Sequence, residues 1–84
     1  MTAAQLQATV LKLLGTIAPD VELDSVNPEV PFRDQFDFDS MDFMNFAIAL
    51  HKAFKVEIPE ADYSRLATLN GCVGYLQEVL AGHS

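Results

Sequence analysis

Ser40 stands in the stretch FDFDSMDF, with aspartates at 37, 39 and 42 and an apolar run directly after it. Three chemistries could use a hydroxyl in that setting. Nucleophilic catalysis needs a base beside the serine. The histidines of the chain are His51 and His83, and His51 falls about three turns along any helix that begins at Ser40. The strand–turn–helix setting of a serine hydrolase is also missing. Calcium binding fares no better. With Asp37 as position one of an EF-hand loop, position six must be glycine and position twelve a bidentate glutamate; the chain has Asp42 and Ile48 there. The remaining chemistry is modification of the hydroxyl by another enzyme. Its structural competitor is a helix N-cap, the ordinary task of a serine at such a boundary. Asp39 caps equally well, which would place Ser40 at the first helical position with its side chain pointing outward.

The charge pattern bears on what could approach this serine. The net charge is −7, and all of it lies between residues 20 and 42, where eight carboxylates face Arg33 alone. Elsewhere four cations balance four carboxylates. Such a field repels nucleic-acid and anionic lipid surfaces and steers basic protein surfaces toward Ser40; a solvated acidic loop is the plainer reading. Cys72 is the single cysteine, so an internal disulfide and a CxxC or metal pattern are excluded. It falls on the predicted last helix as a small core residue. No basic n-region followed by an apolar h-region opens the chain, and no apolar stretch approaches the ~20 residues of a membrane span. The expectation is a soluble, cytoplasmic monomer.

The elements that must position Ser40 follow from the periodicity. Thr2 and Gln5 have the spacing of a capping box, and Leu6, Val10, Leu13, Leu14 and Ile17 then form one helical face ending near Ala18-Pro19. Residues 19–39 lack a sustained period, and Pro19, Pro28 and Pro31 forbid a long helix. Val21, Leu23, Val26, Val30 and Phe32 are placed to pin this long loop to the core. A second main helix is predicted from Asp39–Ser40 to Phe54, a short one over about 59–65 starting at Pro59, and a last one over about 69–81, capped by Thr68 and ended by Gly82. Leu69, Val73, Leu76 and Leu80 are its predicted stripe. KVEIPE alternates briefly but has no partner strand. The predicted fold is all-α: a small four-helix bundle of three main helices plus one short helix, with a long loop between the first and second, in a single domain spanning 1–84.

The helix after Ser40 has two apolar faces. At about 100° per residue, Phe43, Phe46, Ala47, Leu50 and Phe54 form a normal core stripe. Met41, Met44 and Ile48 cluster on the opposite side, within about 60° of one another. Either the long loop folds over this second stripe, or it is a docking surface whose flexible thioethers suit several partner shapes.

Asp39-Ser40-Met41-Asp42 resembles the Asp-Ser-Leu signature of acyl carrier proteins. The register then holds without a gap: Ala49-Leu50 and Phe54 match the helix core, FKVEIP resembles the family's Phe-x-Ile-x-Ile-Pro, and Thr68-Leu69 and Tyr75-Leu76 match the opening and middle of its last helix. The resemblance covers nearly the whole chain and is strongest over 36–80. It implies that Ser40 receives 4′-phosphopantetheine from coenzyme A through a phosphopantetheinyl transferase, with Asp39 as the flanking motif residue. It also implies that the protein catalyses nothing, and instead presents acyl thioesters to acyl-loading, acyl-transfer or condensing enzymes. Asp37, Met41, Asp42, Met44 and Ile48 would then meet the partners. Phe46, Ala47, Leu50, Ile58 and Leu66 hold positions comparable to the family's acyl pocket, where plain core is the competing role. Asp37 and Phe38 depart from the small residues usual before the motif. Where the family's second helix is studded with glutamates, Asn45, His51 and Lys52 stand here, and 43–55 carry no acidic side chain. That points to a specialised acyl, polyketide or aminoacyl pathway rather than the housekeeping fatty-acid carrier. A peptidyl or aminoacyl carrier, and an unmodified helical interaction module that binds through the methionine stripe, are the other readings.

Overall fold

The computed structural model describes residues 2–81. Helix α1 (Ala3–Ile17) starts at the expected capping box: the Gln5 N–H donates to Thr2 Oγ1 at 3.1 Å, and the Thr2 N–H donates to Gln5 Oε1 at 2.8 Å. It buries Leu6, Val10 and Leu14, with Leu13 and Ile17 at the edges. Helix α3 (Ser40–Phe54) and helix α4 (Leu69–Ala81) pack on this face and complete a bundle. Thr68 caps α4 as expected, its Oγ1 accepting from the Gly71 N–H at 2.9 Å. The predicted stop at Gly82 lies outside the described residues. No strand occurs among the described residues; Val56 in the KVEIPE segment is instead a buried anchor beyond α3.

The long connection contains more structure than its sequence suggests. A 3-10 turn occupies Leu23–Ser25, and a single helical turn, α2 (Phe32–Gln35), follows Pro31. Contacts with distant segments stabilise the second of these and the chain leading into it. The Phe32 N–H donates to the Ala67 carbonyl at 2.9 Å, the Asn70 N–H donates to the Pro28 carbonyl at 3.0 Å, and the Phe32 ring is fully buried. The Gln35 side chain accepts from the Asn27 N–H and donates to the Asn27 and Val30 carbonyls, so one amide satisfies three backbone groups of the loop.

The expected short helix forms over Glu60–Leu66 with Pro59 as its cap, wound as a 3-10 helix. The threefold period of that winding aligns Tyr63 with Leu66; Leu66 is buried and the Tyr63 ring lies 6.0 Å from Phe43. Cys72 is buried as expected, but the buried face of α4 is rotated from the predicted stripe and the stripe needs correction. Leu69, Cys72, Tyr75 and Leu76 are buried, while Val73 and Leu80 are only half-buried. The rotation has partners in the 3-10 helix. The Cys72 thiol donates to the Leu66 carbonyl at 3.2 Å, and the Tyr75 hydroxyl donates to Asp62 Oδ2 at 2.8 Å. The Arg65 guanidinium covers the Tyr75 ring at 4.9 Å and pairs with Glu78.

The two glycines of α4 have opposite roles. A Cβ on Gly71 would lie 2.3 Å from the Arg65 carbonyl oxygen, whereas one on Gly74 would meet nothing within 4 Å. Gly71→Ala is therefore expected to destabilise the domain by about 1–3 kcal/mol through overpacking. Gly74→Ala should stabilise it by about 1 kcal/mol through helix propensity. Urea unfolding of the two variants checks both signs; equal effects would remove the close-approach argument.

Candidate functional site

The N-terminus of α3 is built by the aspartates beside Ser40. Asp39 is the N-cap; its Oδ1 accepts from the Asp42 N–H at 2.8 Å, and Asp42 Oδ2 accepts in return from the Asp39 N–H at 3.3 Å. This is a reciprocal capping box made of two carboxylates, and it places both negative charges at the positive end of the helix dipole. The Asp-x-x-Asp spacing is the sequence signal for this capping role of Asp42, which comes in addition to the docking role expected of it. Ser40 is thus the first residue of α3. It is exposed, and its hydroxyl makes no hydrogen bond among the described residues. Capping, its competing role, belongs to Asp39.

Phe38 explains how this terminus is held. It is 8% exposed and lies edge-on to four rings: Phe32 and Phe36 at 5.6 Å, Phe46 at 6.0 Å and Phe43 at 6.3 Å. Such pairs contribute about 0.5–1.5 kcal/mol each beyond area burial. The bulky residue at this departure from the family pattern is an anchor two residues before Ser40.

Two grooves flank the terminus. One, of about 450 Å³, gathers Asp20, Glu22, Asp37 and Asp42, so the acidic loop and the capping box share one anionic surface. The other, of about 700 Å³, is lined by Ser40, Asp39 and Arg33, with Phe32, Phe38 and Phe43 as apolar walls. A long amphiphilic group attached at residue 40 fits this setting: the point of attachment is open, and an apolar cradle with one cation begins beside it.

Met41, Met44 and Ile48 are 66%, 50% and 41% exposed. The long loop does not cover them; it packs on the other side, through Phe32 and Val26. With Asn45 and Lys52 they form the outer face of α3, all exposed. This face runs from carboxylates at the Ser40 end, through an apolar centre, to Lys52 and Lys55. His51 takes no part at the serine end: its Nδ1–H donates to the Val56 carbonyl at 2.6 Å, where the chain leaves α3 through Lys55 at φ 54°. The comparable acyl-pocket positions are mostly solid core. Phe46, Ala47, Leu50 and Leu66 are at most 1% exposed, and Ile58 is half-buried.

Burial pushes the Cys72 thiol up to about 12. Burial and then the Asp62 hydrogen bond push the Tyr75 phenol up to about 12 as well. Cys72 is therefore protonated and inert at neutral pH.

Comparison with known proteins agrees with this geometry. The family described as phosphopantetheine attachment site matches residues 4–76. A curated protein named acyl carrier protein, from Rubrobacter xylanophilus, is 33% identical over 58 residues, covering 69% of this chain and 72% of that protein. A solved structure of acyl carrier protein from Enterococcus faecalis superposes with a TM-score of 0.72 at 26% identity, covering 94% of this chain and 99% of the other.

Proposed function

Because this chain belongs to the acyl carrier protein family, with the phosphopantetheine attachment site family matching residues 4–76, we propose that Ser40 is the residue that bears the arm and that this carrier serves a specialised acyl pathway. One observation supports the attachment point above all: Ser40 opens α3 with an exposed, unengaged hydroxyl while its neighbour Asp39 does the capping. On a phosphopantetheinyl transferase, Ser40 Oγ displaces adenosine 3′,5′-bisphosphate from coenzyme A. Its proton passes to a base of that enzyme, and a phosphodiester to phosphopantetheine remains. When bound, the group supplies a terminal thiol that holds acyl cargo as a thioester. This chain's own residues hold that tether at a helix end, and tethering raises the cargo's effective concentration at a docked active site.

The test exploits Cys72. Because the only cysteine is buried, the native apo protein should present no thiol to a colorimetric reagent. After incubation with coenzyme A and a broad-specificity transferase it should present one. A native holo count of zero would defeat the carrier reading and leave the unmodified interaction module. Loading that thiol with fatty acyl or aminoacyl groups by their activating enzymes then separates acyl from aminoacyl carriage.

The outer face of α3 supports the specialised pathway. The anionic Ser40 end suits basic rims on a transferase or a condensing enzyme, and the exposed methionines suit an apolar contact. The far end is cationic instead of acidic. An enzyme that grips an acidic helix along its length should bind this carrier weakly. Lys52→Glu combined with Lys55→Glu should tighten binding to a bacterial fatty-acid ketosynthase about three- to tenfold at low salt, as rim charges do, and the gain should vanish at high salt. Wild-type affinity equal to that of the ketosynthase's own carrier would rule out the specialised reading.

A further inference from the structure

We propose that Arg33 is the phosphate anchor of the arm, and that the groove Arg33 shares with Ser40 is where the first half of the arm lies between docking events; this rests on Ser40 being the attachment point. Arg33 is the only cation between residues 20 and 42. In so acidic a segment a guanidinium would be expected to pair with a carboxylate. Arg33 is exposed and makes no ion pair among the described residues, where Arg65–Glu78 is the pair that forms. The two carboxylates nearest Ser40 are engaged with each other's backbone N–H groups in the capping box. Arg33 and Ser40 line the same groove. The fold fixes this juxtaposition, because Phe32, next to Arg33, packs on Phe38, two residues before Ser40, at 5.6 Å.

A phosphodiester at Ser40 adds one negative charge beside Asp37, Asp39 and Asp42. That charge needs a counterion, and the planar fork of a guanidinium matches phosphate oxygens two at a time. Beyond the phosphate of phosphopantetheine come a methylene and then a carbon bearing two methyl groups, which is the chemistry the Phe38 and Phe43 walls of the groove accept. Arg33 is thereby a positioning residue for the arm. It restrains the phosphate end and leaves the thiol end free to reach a partner.

The test uses the full-length protein labelled with 15N, loaded by a transferase and coenzyme A, with loading first read by intact mass. Arg33 and Arg65 are distinguished by the spectrum of Arg33→Gln. At low salt the Arg33 Nε–H resonance should move between apo and holo forms while that of Arg65 stays. The shift should disappear at about 1 M salt, where screening acts within about 3 Å. The 31P line of the holo protein should narrow in Arg33→Gln and take an intermediate width in Arg33→Lys. Arg33 is exposed, so apo Arg33→Gln should melt with wild type. An Arg33 resonance indifferent to loading, or a 31P width unchanged by Arg33→Gln, overturns the anchor and leaves the attachment reading intact. Absence of added mass overturns both.

Discussion

Phe38→Ala should cost this domain about 3–5 kcal/mol, the range for removing a buried phenylalanine. The residue touches four other rings, so its deletion leaves a cavity bounded by parts of the loop, α2 and α3 together. At about 0.05–0.15 kcal/mol per residue, a domain of this size has about 4–13 kcal/mol of stability in all. The variant should therefore lose roughly a quarter or more of the domain's stability. Phe38→Leu keeps an apolar side chain but loses all four edge-to-face pairs, so at about 0.5–1.5 kcal/mol each a loss of at least about 2 kcal/mol is expected. Urea unfolding followed by far-UV circular dichroism gives both values. A loss below about 1 kcal/mol for Phe38→Ala would show that the aromatic cluster is not what holds the serine-bearing terminus.

Ser40→Ala is expected to have the opposite profile. The side chain is exposed and unbonded, and alanine is the better helix former, so stability should change by no more than about 0.5 kcal/mol. Acceptance of phosphopantetheine should fall to zero, and thioester formation with it. The two variants separate the scaffold from the tether: one removes the fold that presents the hydroxyl, the other removes only the hydroxyl. A Ser40→Ala protein that still gained a reactive thiol under loading conditions would place the attachment elsewhere.

Signals carried within one turn of chain were legible. The Thr2–Gln5 box, Asp39 as the cap that frees Ser40, Thr68 as the cap of α4, and the limits of α3 all depend on residues three or four apart. What could not be read depends on contacts between distant segments. A four-residue helix at Phe32–Gln35 has no stability of its own; it forms because Phe32 enters the core and its N–H finds the Ala67 carbonyl. The burial of Tyr75 in place of Val73 and Leu80 depends on the acceptor supplied by Asp62. Periodicity gave a stripe but not the neighbours that rotate it. At the site, the exposed methionine face was legible as a second stripe, though only the packed loop decided that it stays open. The groove joining Arg33 to Ser40 arises from ring packing between residues too far apart for any motif.

The most direct measurement is fragmentation mass spectrometry of the protein after incubation with coenzyme A and transferase, read residue by residue across the FDFDSMDF segment. One phosphopantetheine per chain is expected, carried on residue 40. Unmodified protein, or the added mass on any other residue, would contradict it.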